Sequence, residues 1–122
     1  MEHIWNYGGK EYPFDISESE NMTRMCDGLN ALRGEIGGLG GTEAGDTLRE
    51  QCRMIRRFFD TVLGDGMGET VCGAAYSADA HTTAYMEFIL FVNAQVTAFR
   101  EKVAAVEEKY MSRAAEMEAY GV

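Results

Sequence analysis

The feature that most constrains the fold is a run of apolar side chains spaced alternately four and three residues apart in the last third of the chain. The run comprises Tyr85, Ile89, Val92, Val96, Phe99, Val103, Val106 and Tyr110. This is the period of a coiled coil, and it predicts one long helix and tail within residues 77–119. Residues 86–92 are apolar on nearly every side, which predicts a central position in the core. Between residues 97 and 110, an ordinary core helix and a contact with another chain explain the pattern equally well.

Residues 1–16 carry the pattern of a β-hairpin. Its first arm holds Ile4, Trp5 and Tyr7, and its second arm holds Tyr12, Phe14 and Ile16. Gly8-Gly9 lies between the arms and supplies the positive φ angles that a tight hairpin turn requires. Pro13 has no N–H to donate, so its nitrogen should face away from the partner strand. Because two strands alone are marginally stable in water, the aromatic residues should pack on a helix.

Two amphipathic helices are predicted between the hairpin and the long helix, over residues 17–36 and 47–63. Each opens with a capping box, in which a hydroxyl residue is followed three positions later by a glutamate. The two boxes are Ser17 with Glu20, and Thr47 with Glu50. The apolar stripes are Met22, Met25, Cys26, Leu29, Leu32 and Ile36 in the first helix, and Leu48, Cys52, Ile55, Phe59 and Val62 in the second.

Glycine-rich segments separate these helices. Their glycines predict a flexible loop over residues 37–46. They also predict a second loop over residues 64–76, with about one helical turn near residues 69–72. The chain of 122 residues has the length of one domain. We therefore predict a mainly α, single-domain fold, in which the N-terminal hairpin packs on about three helices and the last helix is long.

Charge limits the possible partners, and cysteine content indicates the compartment. The net charge is −9, with 20 acidic and 11 basic residues, which argues against binding to nucleic acid or to anionic lipid. The three cysteines are odd in number and lie in apolar contexts, which indicates buried thiols in a reducing compartment rather than a disulfide framework. The N-terminus does not resemble a signal peptide, and the chain has no apolar run long enough to cross a membrane. We expect a cytoplasmic protein.

The sequence does not assemble a recognisable catalytic, metal or cofactor site. His3 and His81 fall in different elements, and neither HxxxH nor CxxC spacing occurs. The glycine runs do not match a phosphate-binding loop. Cys52 has arginines near it that would favour a thiolate, but it lies on an apolar stripe, which favours burial. We expect no enzymatic activity, no metal and no cofactor.

Four arginines make the helix over residues 47–63 locally positive in an acidic protein. They are Arg49, Arg53, Arg56 and Arg57, and their spacing puts the first three on one face. They form either a solvated flank that pairs with acids of the first helix or Asp60, or an arginine-rimmed contact surface for a protein partner. In the second interpretation, the candidate partner-binding residues are these four arginines together with Val96, Phe99, Val103, Val106 and Tyr110.

The predicted long helix is longer than the body that should bury it. Residues 77–110 span roughly 50 Å as a helix, whereas a domain of this length is about 35 Å across. An overhanging apolar seam is costly in water unless another chain covers it. We therefore expect a homo-oligomer or a partner helix along residues 96–110.

Three segments resemble the phage tail assembly chaperones and related proteins of tail gene clusters. They are Asn6-Tyr7-Gly8-Gly9-Lys10-Glu11-Tyr12-Pro13-Phe14-Asp15 in the hairpin, Arg57-Phe58-Phe59-Asp60-Thr61-Val62-Leu63-Gly64-Asp65-Gly66, and Glu107-Glu108-Lys109-Tyr110. The resemblance implies a protein of the host bacterial cytoplasm that shields the tape-measure protein or tail subunits during assembly. It also implies no catalytic residue and no cofactor.

An acidic, phage-encoded inhibitor of a host nucleic-acid enzyme is the alternative function. Such an inhibitor requires a contiguous acidic face that imitates DNA. The first helix offers four acids, which are spread out and interrupted by Arg24 and Arg33. These acids are Glu18, Glu20, Asp27 and Glu35.

Overall fold

The computed structural model describes residues 3–38 and 44–119. In chain order it contains β1 (Ile4–Tyr7), β2 (Lys10–Pro13), α1 (Ser19–Ile36), α2 (Ala44–Leu63), α3 (Met67–Cys72) and α4 (Ala78–Ala119). The predicted fold class is confirmed: the described part of the chain is mainly helical, opens with an antiparallel hairpin and ends in a long helix. The short helix α3 lies where one helical turn is predicted inside the second loop.

The hairpin turn has the predicted geometry. Gly8 and Gly9 have φ angles of 57° and 76°, which residues with a side chain rarely adopt. The N–H of Phe14 donates to the carbonyl of His3 at 2.7 Å. Hydrogen-bonded and non-hydrogen-bonded pairs alternate along an antiparallel ladder, so the neighbouring pair between Ile4 and Pro13 is of the non-hydrogen-bonded kind. The nitrogen of Pro13 therefore faces away from its partner strand, as predicted.

Aromatic contacts fix the hairpin to the helices. The ring of Trp5 stacks on Phe59 at 5.9 Å between centroids and meets the edge of Phe88 at 5.1 Å. Phe14 also meets Phe88, at 5.4 Å. Trp5, Phe59 and Phe88 are all buried. The hairpin thus covers the junction of α2 and α4, where the core lies.

A glycine allows α1 to lie close against α2. Gly28 is buried, and a Cβ atom built on it would lie 2.9 Å from Cγ2 of Val62 and 3.1 Å from Cδ1 of Phe58. Met25 and Leu32, one turn to either side, are buried on the same face. Because α1 packs mainly against this single neighbour, only a narrow strip of it is covered.

Several residues that were predicted to lie in the core are exposed. Met22, Cys26 and Ile36 of α1 are exposed, as is Leu48 near the start of α2. The expectation that all three cysteines are buried is therefore wrong for Cys26. Cys52 and Cys72 are buried, and all three cysteines are free thiols.

Both predicted capping boxes are wrong. The residue that precedes α1 is Glu18, which makes no side-chain cap hydrogen bond. The hydroxyl and N–H of Ser17 instead donate to Oδ1 of Asp15, at 2.6 Å and 2.9 Å. An aspartate that accepts an N–H two residues later makes a local turn that competes with helix capping.

The second helix also begins earlier than predicted. Since α2 begins at Ala44, Thr47 lies inside the helix rather than at its cap, and residues 44–46 of the predicted loop are helical. The middle of that loop, residues 39–43, falls outside the described residues.

Helix α4 is buried along only one side of its first half. Its buried side chains are His81, Ala84, Phe88, Val92 and Gln95. Met86 and Leu90 on the opposite side are 59% and 61% exposed. The prediction that residues 86–92 are central in the core is wrong on that side, because the body lies against one face of the helix.

The second half of α4 extends beyond the body. The 42 residues of the helix span about 63 Å, and every side chain from Phe99 to Arg113 is exposed. We call residues 97–119 the overhang.

Candidate functional site

Arg56 is directed inward and holds the connection between α3 and α4. Its Nε donates to Nε2 of His81 at 2.9 Å, and its Nη2 donates to the carbonyls of Gly73 at 2.7 Å and Ala74 at 3.1 Å. Carbonyl groups that follow a helix end often lack partners within the backbone. Arg56 is therefore a structural residue at the edge of the predicted arginine surface.

His81 is buried, and both of its ring nitrogens have partners. Nδ1 lies 2.7 Å from the carbonyl oxygen of Ser77, so it carries the proton and donates. Nε2 is left to accept from Arg56. Burial lowers the pKa of His81, and the neighbouring guanidinium of Arg56 lowers it further. The imidazole is thus neutral and has no nitrogen available for a metal or a substrate.

Three arginines gather on the ring of Tyr76. The guanidinium carbon lies 4.4 Å from the ring centroid for Arg56, and 5.8 Å for both Arg49 and Arg53. The ring of His81 is nearly parallel to that of Tyr76, with 6.5 Å between the ring centroids. Tyr76 remains 47% exposed. We call Arg49, Arg53, Arg56 and Tyr76 the arginine–tyrosine patch.

Arg57 is separate from this patch and is paired with two acids. It donates to Glu35 of α1 and, at 2.9 Å, to Glu50 of its own helix. The hydrogen bond from Arg57 holds the pKa of Glu50 below its usual range. Of the four predicted arginines, Arg56 and Arg57 are therefore engaged within the chain, and Nη1 of Arg53 lies 3.6 Å from Oε2 of Glu50 in a surface ion pair. Arg49 and Arg53 lie on the patch surface.

The arginine pairs also interrupt the acidic face of α1. Glu20 accepts from Arg24 at 2.7 Å, and Glu35 accepts from Arg57. Two of the four acids are thus neutralised locally, and α1 does not carry a contiguous run of unpaired carboxylates.

The predicted seam lies uncovered on the overhang. Its side chains are exposed to the extent of 44% for Phe99, 38% for Val103, 62% for Val106 and 74% for Tyr110. Val96, the first predicted seam residue after the core, is half-buried. Met111 and Met117 extend the exposed apolar surface toward the end of the helix.

Two open grooves follow this seam. The first, of about 370 Å³, lies where the overhang leaves the body and is lined by His3, Ser17, Phe99, Lys102, Val103, Val106 and Glu107. The second, of about 400 Å³, is lined by Val106, Glu107, Tyr110 and Met111. Each groove is lined by both apolar and charged side chains, a composition that suits an amphipathic helix.

The body offers a different kind of cleft between α1 and α2. This cleft of about 250 Å³ is bordered by Glu35, Arg57, Asp60, Thr61 and Asp65, among others. Glu35 is bound by Arg57, and Oδ1 of Asp60 accepts the N–H of Gly68 at 2.7 Å. Glu35 therefore links α1 to α2, and Asp60 links α2 to α3.

The buried thiols are poorly suited to act as nucleophiles. Burial raises the pKa of Cys72 to about 11. Burial also raises the pKa of Cys52, although the nearby Arg56 acts in the opposite direction. Both therefore remain protonated near neutral pH. Among residues 3–38 and 44–119, the structure holds no cluster of three side chains suited to bind a metal ion.

Sequence reasoning missed several residues that shape these surfaces. Tyr76 lies between glycine-rich and alanine-rich segments and gives no periodic signal of its own. His3 and Ser17 line the first groove, although the hairpin region that contains them is distant from Phe99 in the chain. Met117 continues the seven-residue spacing from Val103 and Tyr110, and this signal is readable from the sequence alone.

Comparison with known proteins places the chain in a family without assigning an activity. No curated protein and no solved structure matches it. Within the described ranges, none of the helices is both long and apolar enough to cross a bilayer. The family described as "Family of unknown function (DUF6673)" matches residues 8–120, and the chain therefore belongs to this family.

Proposed function

We propose that the protein is a non-enzymatic binding protein that engages an apolar helix of another polypeptide along its overhang. The observation that carries this proposal is the exposure of Phe99, Val103, Val106 and Tyr110 on one side of a helix. A set of apolar side chains at heptad spacing is the usual recognition surface for a second helix. Each such side chain contributes about 1.5–3 kcal/mol when fully buried.

The resemblance to phage tail assembly chaperones refines this proposal. In this form, the partner is the long, hydrophobic tape-measure protein or a tail subunit, and the overhang shields its apolar helices before assembly in the host cytoplasm. The support consists of the three sequence segments that carry the resemblance and of the open grooves along the seam. No catalytic residue, metal or cofactor enters this function.

The arginine–tyrosine patch is the second proposed contact surface. Arg49 and Arg53 lie on the surface beside the half-exposed ring of Tyr76. Arginine and tyrosine are enriched among the residues that dominate binding energy at interfaces. The patch would add an electrostatic contact with acidic side chains of the same partner, because surface guanidinium groups attract carboxylates.

Co-expression with a phage tape-measure protein tests the proposal. We expect the wild type to increase the soluble yield of that protein several-fold and to co-purify with it. The double substitution Phe99→Glu/Val103→Glu should abolish both effects. The matched control is Met86→Glu/Leu90→Glu, which adds the same charges to exposed apolar positions on the opposite side of α4.

A second pair of variants tests the patch. Arg49→Gln/Arg53→Gln should weaken co-purification without changing the unfolding midpoint, whereas Arg56→Gln should lower the midpoint because Arg56 binds three groups inside the chain. If neither the seam variant nor the patch variant alters the soluble yield, the proposed function is wrong.

A further inference from the structure

We infer that a second copy of this chain covers the seam, with the two overhangs antiparallel and a twofold axis level with residue 108. The inference rests on the proposed role of the overhang as a binding surface and identifies the occupant of that surface. It follows from the position of the body, the length of the overhang and the register of its apolar residues.

The body restricts where any helix can lie against α4. With 3.6 residues per turn, Phe99, Val103, Val106, Tyr110 and Met117 all project within roughly 60° of Phe88. Phe88 lies under the hairpin and is completely buried. The seam therefore continues the core face of α4, and the body blocks this face up to Gln95. An approaching helix has only residues 97–119 available, a length of about 35 Å.

The same restriction decides the relative orientation of two copies. Helices that pack together have axes about 8–10 Å apart, whereas a body of this size is roughly 30 Å across. In a parallel pair, both bodies would occupy the seam side at the same end and would overlap. In an antiparallel pair, each body lies beyond the tip of the other overhang, and both seams are accessible.

Full overlap of the two overhangs brings apolar positions together. Residue 97 then lies opposite residue 119, which puts Phe99 opposite Met117, Val103 opposite Arg113, and Val106 opposite Tyr110 of the second copy. The aliphatic stem of Arg113 can cover Val103 while its guanidinium group reaches water. Lys102 and Lys109 fall in the same 60° sector as Arg113, and polar residues within an apolar seam favour one register over its alternatives.

Other registers fit less well. A shift of four residues toward the body puts Val103 opposite Lys109 of the second copy. A shift of four residues away from the body pairs Val103 with Met117 but leaves Phe99 beyond the end of the facing overhang. A shift of one heptad toward the body places the tip against residues 90–96, whose core side is already covered. A shift of one heptad away leaves Phe99 and Val103 exposed. The full-overlap register is thus the one that covers the seam and avoids the body.

Groove and charge are compatible with a second copy. In this register, Met117 of the second copy lies over the first groove, which has room for a side chain at about 370 Å³. The overhang, residues 97–119, carries four basic and five acidic side chains, whereas the whole chain has a net charge of −9. The overhang is therefore the part of this acidic protein that can approach its own copy without strong repulsion.

Sedimentation equilibrium and light scattering on the full chain test the association. The wild type should have twice the mass of one chain, which is 13.5 kDa, and Phe99→Glu/Val103→Glu should raise the dissociation constant at least 100-fold. Leu90→Glu should remain dimeric, since Leu90 is exposed on the opposite side of α4. Thermal unfolding of each variant verifies that the body is intact. A wild type that keeps the mass of a single chain at several hundred micromolar overturns the inference.

Engineered disulfides test the orientation. In a Cys26→Ser background, chains with Val103→Cys and chains with Arg113→Cys are oxidised separately and as a mixture. Facing positions in packed helices have Cα atoms about 4–6 Å apart, which suits a disulfide. We expect cross-linked dimers only in the mixture. Efficient cross-linking of Val103→Cys chains to each other would show a parallel pair and would overturn the inference.

The outcomes separate this inference from the proposed function. A monomeric wild type whose seam still captures the tape-measure protein would mean that a foreign helix is the occupant; the inference fails and the proposed function stands. If the wild type is an antiparallel dimer but has no effect on the tape-measure protein, the inference stands and the proposed function fails.

Discussion

Gln95 of α4 holds the segment that follows β2 by a pair of hydrogen bonds to the backbone of Phe14 and Ile16. Its Nε2 donates to the carbonyl of Phe14 at 2.7 Å, and its Oε1 accepts the N–H of Ile16 at 2.9 Å. Gln95 is only 2% exposed. A side-chain amide here replaces the backbone partner that a third strand would provide, and it marks the last buried position before the overhang.

Gln95→Leu should therefore destabilise the fold by about 2–4 kcal/mol, because it leaves a buried carbonyl and a buried N–H without their partner. Leucine has a similar size, so little of the loss would come from a cavity. Chemical denaturation of this variant and of Asn93→Leu, at an exposed position two residues away, provides the comparison. A loss below about 0.5 kcal/mol would mean that the amide pair does not stabilise the hairpin junction.

Two glycines of α1 should respond in opposite directions to the same substitution. Gly28→Ala gains helix propensity worth about 1 kcal/mol but forces its methyl group against Val62 and Phe58, at 2.9 Å and 3.1 Å. Overpacking of this kind costs about 1–3 kcal/mol, so we expect a net loss of stability. Gly34→Ala meets no atom within 4 Å and should stabilise the protein. Unfolding midpoints measured side by side decide the matter, and a stabilised Gly28→Ala variant would contradict the close packing of α1 on α2.

The periodicity of the sequence predicted the elements that are held by several neighbours. The core phase of α2 is correct at Cys52, Phe59 and Val62, all of which are buried. The glycine turn predicted the hairpin because a positive φ is a local requirement. Met86 and Leu90 show where this reasoning fails: hydrophobicity indicates which residues could be buried, but not on how many sides a helix has neighbours.

The candidate site was only partly predictable for a related reason. Heptad spacing located the seam of the overhang because it is a property of one helix. The inward direction of Arg56 depends on Gly73 and His81, which lie 17 and 25 residues away in the chain. No spacing rule within α2 contains that information. The capping box at Ser17 failed because Asp15 accepts both the hydroxyl and the N–H of Ser17, which holds Ser17 in a turn before the helix.

Phe59→Ala should be among the most destabilising substitutions, with a loss of about 3–5 kcal/mol. Phe59 is completely buried and contacts the rings of Trp5 and Phe88. The same truncation at Phe99, which is 44% exposed, should cost less than about 1 kcal/mol in the dissociated chain. Fluorescence of the single tryptophan reports unfolding in both variants. Similar losses at the two positions would show that the overhang belongs to the core.

The stability of the body should fall as the pH decreases from 7 to 5, because of His81. Burial and the adjacent guanidinium of Arg56 lower the pKa of His81 in the folded state below its usual 6.5. The unfolded chain then binds more protons, so stability is fully present above about pH 6.5 and is lost below it, by at most about 1.4 kcal/mol per pH unit. Protonation would also replace the acceptor Nε2 by a donor that faces Arg56. The pKa values of Asp15 and Glu50 are also lowered in the folded state. These two carboxyl groups affect stability only at lower pH, because their usual pKa values are 3.8 and 4.5.

Denaturant unfolding at intervals between pH 5 and pH 7.5 measures this slope. His81→Gln should flatten it, because glutamine can accept from Arg56 and does not titrate. A slope that persists in His81→Gln would assign the pH dependence to another group and would contradict a neutral, buried imidazole beneath the arginine–tyrosine patch.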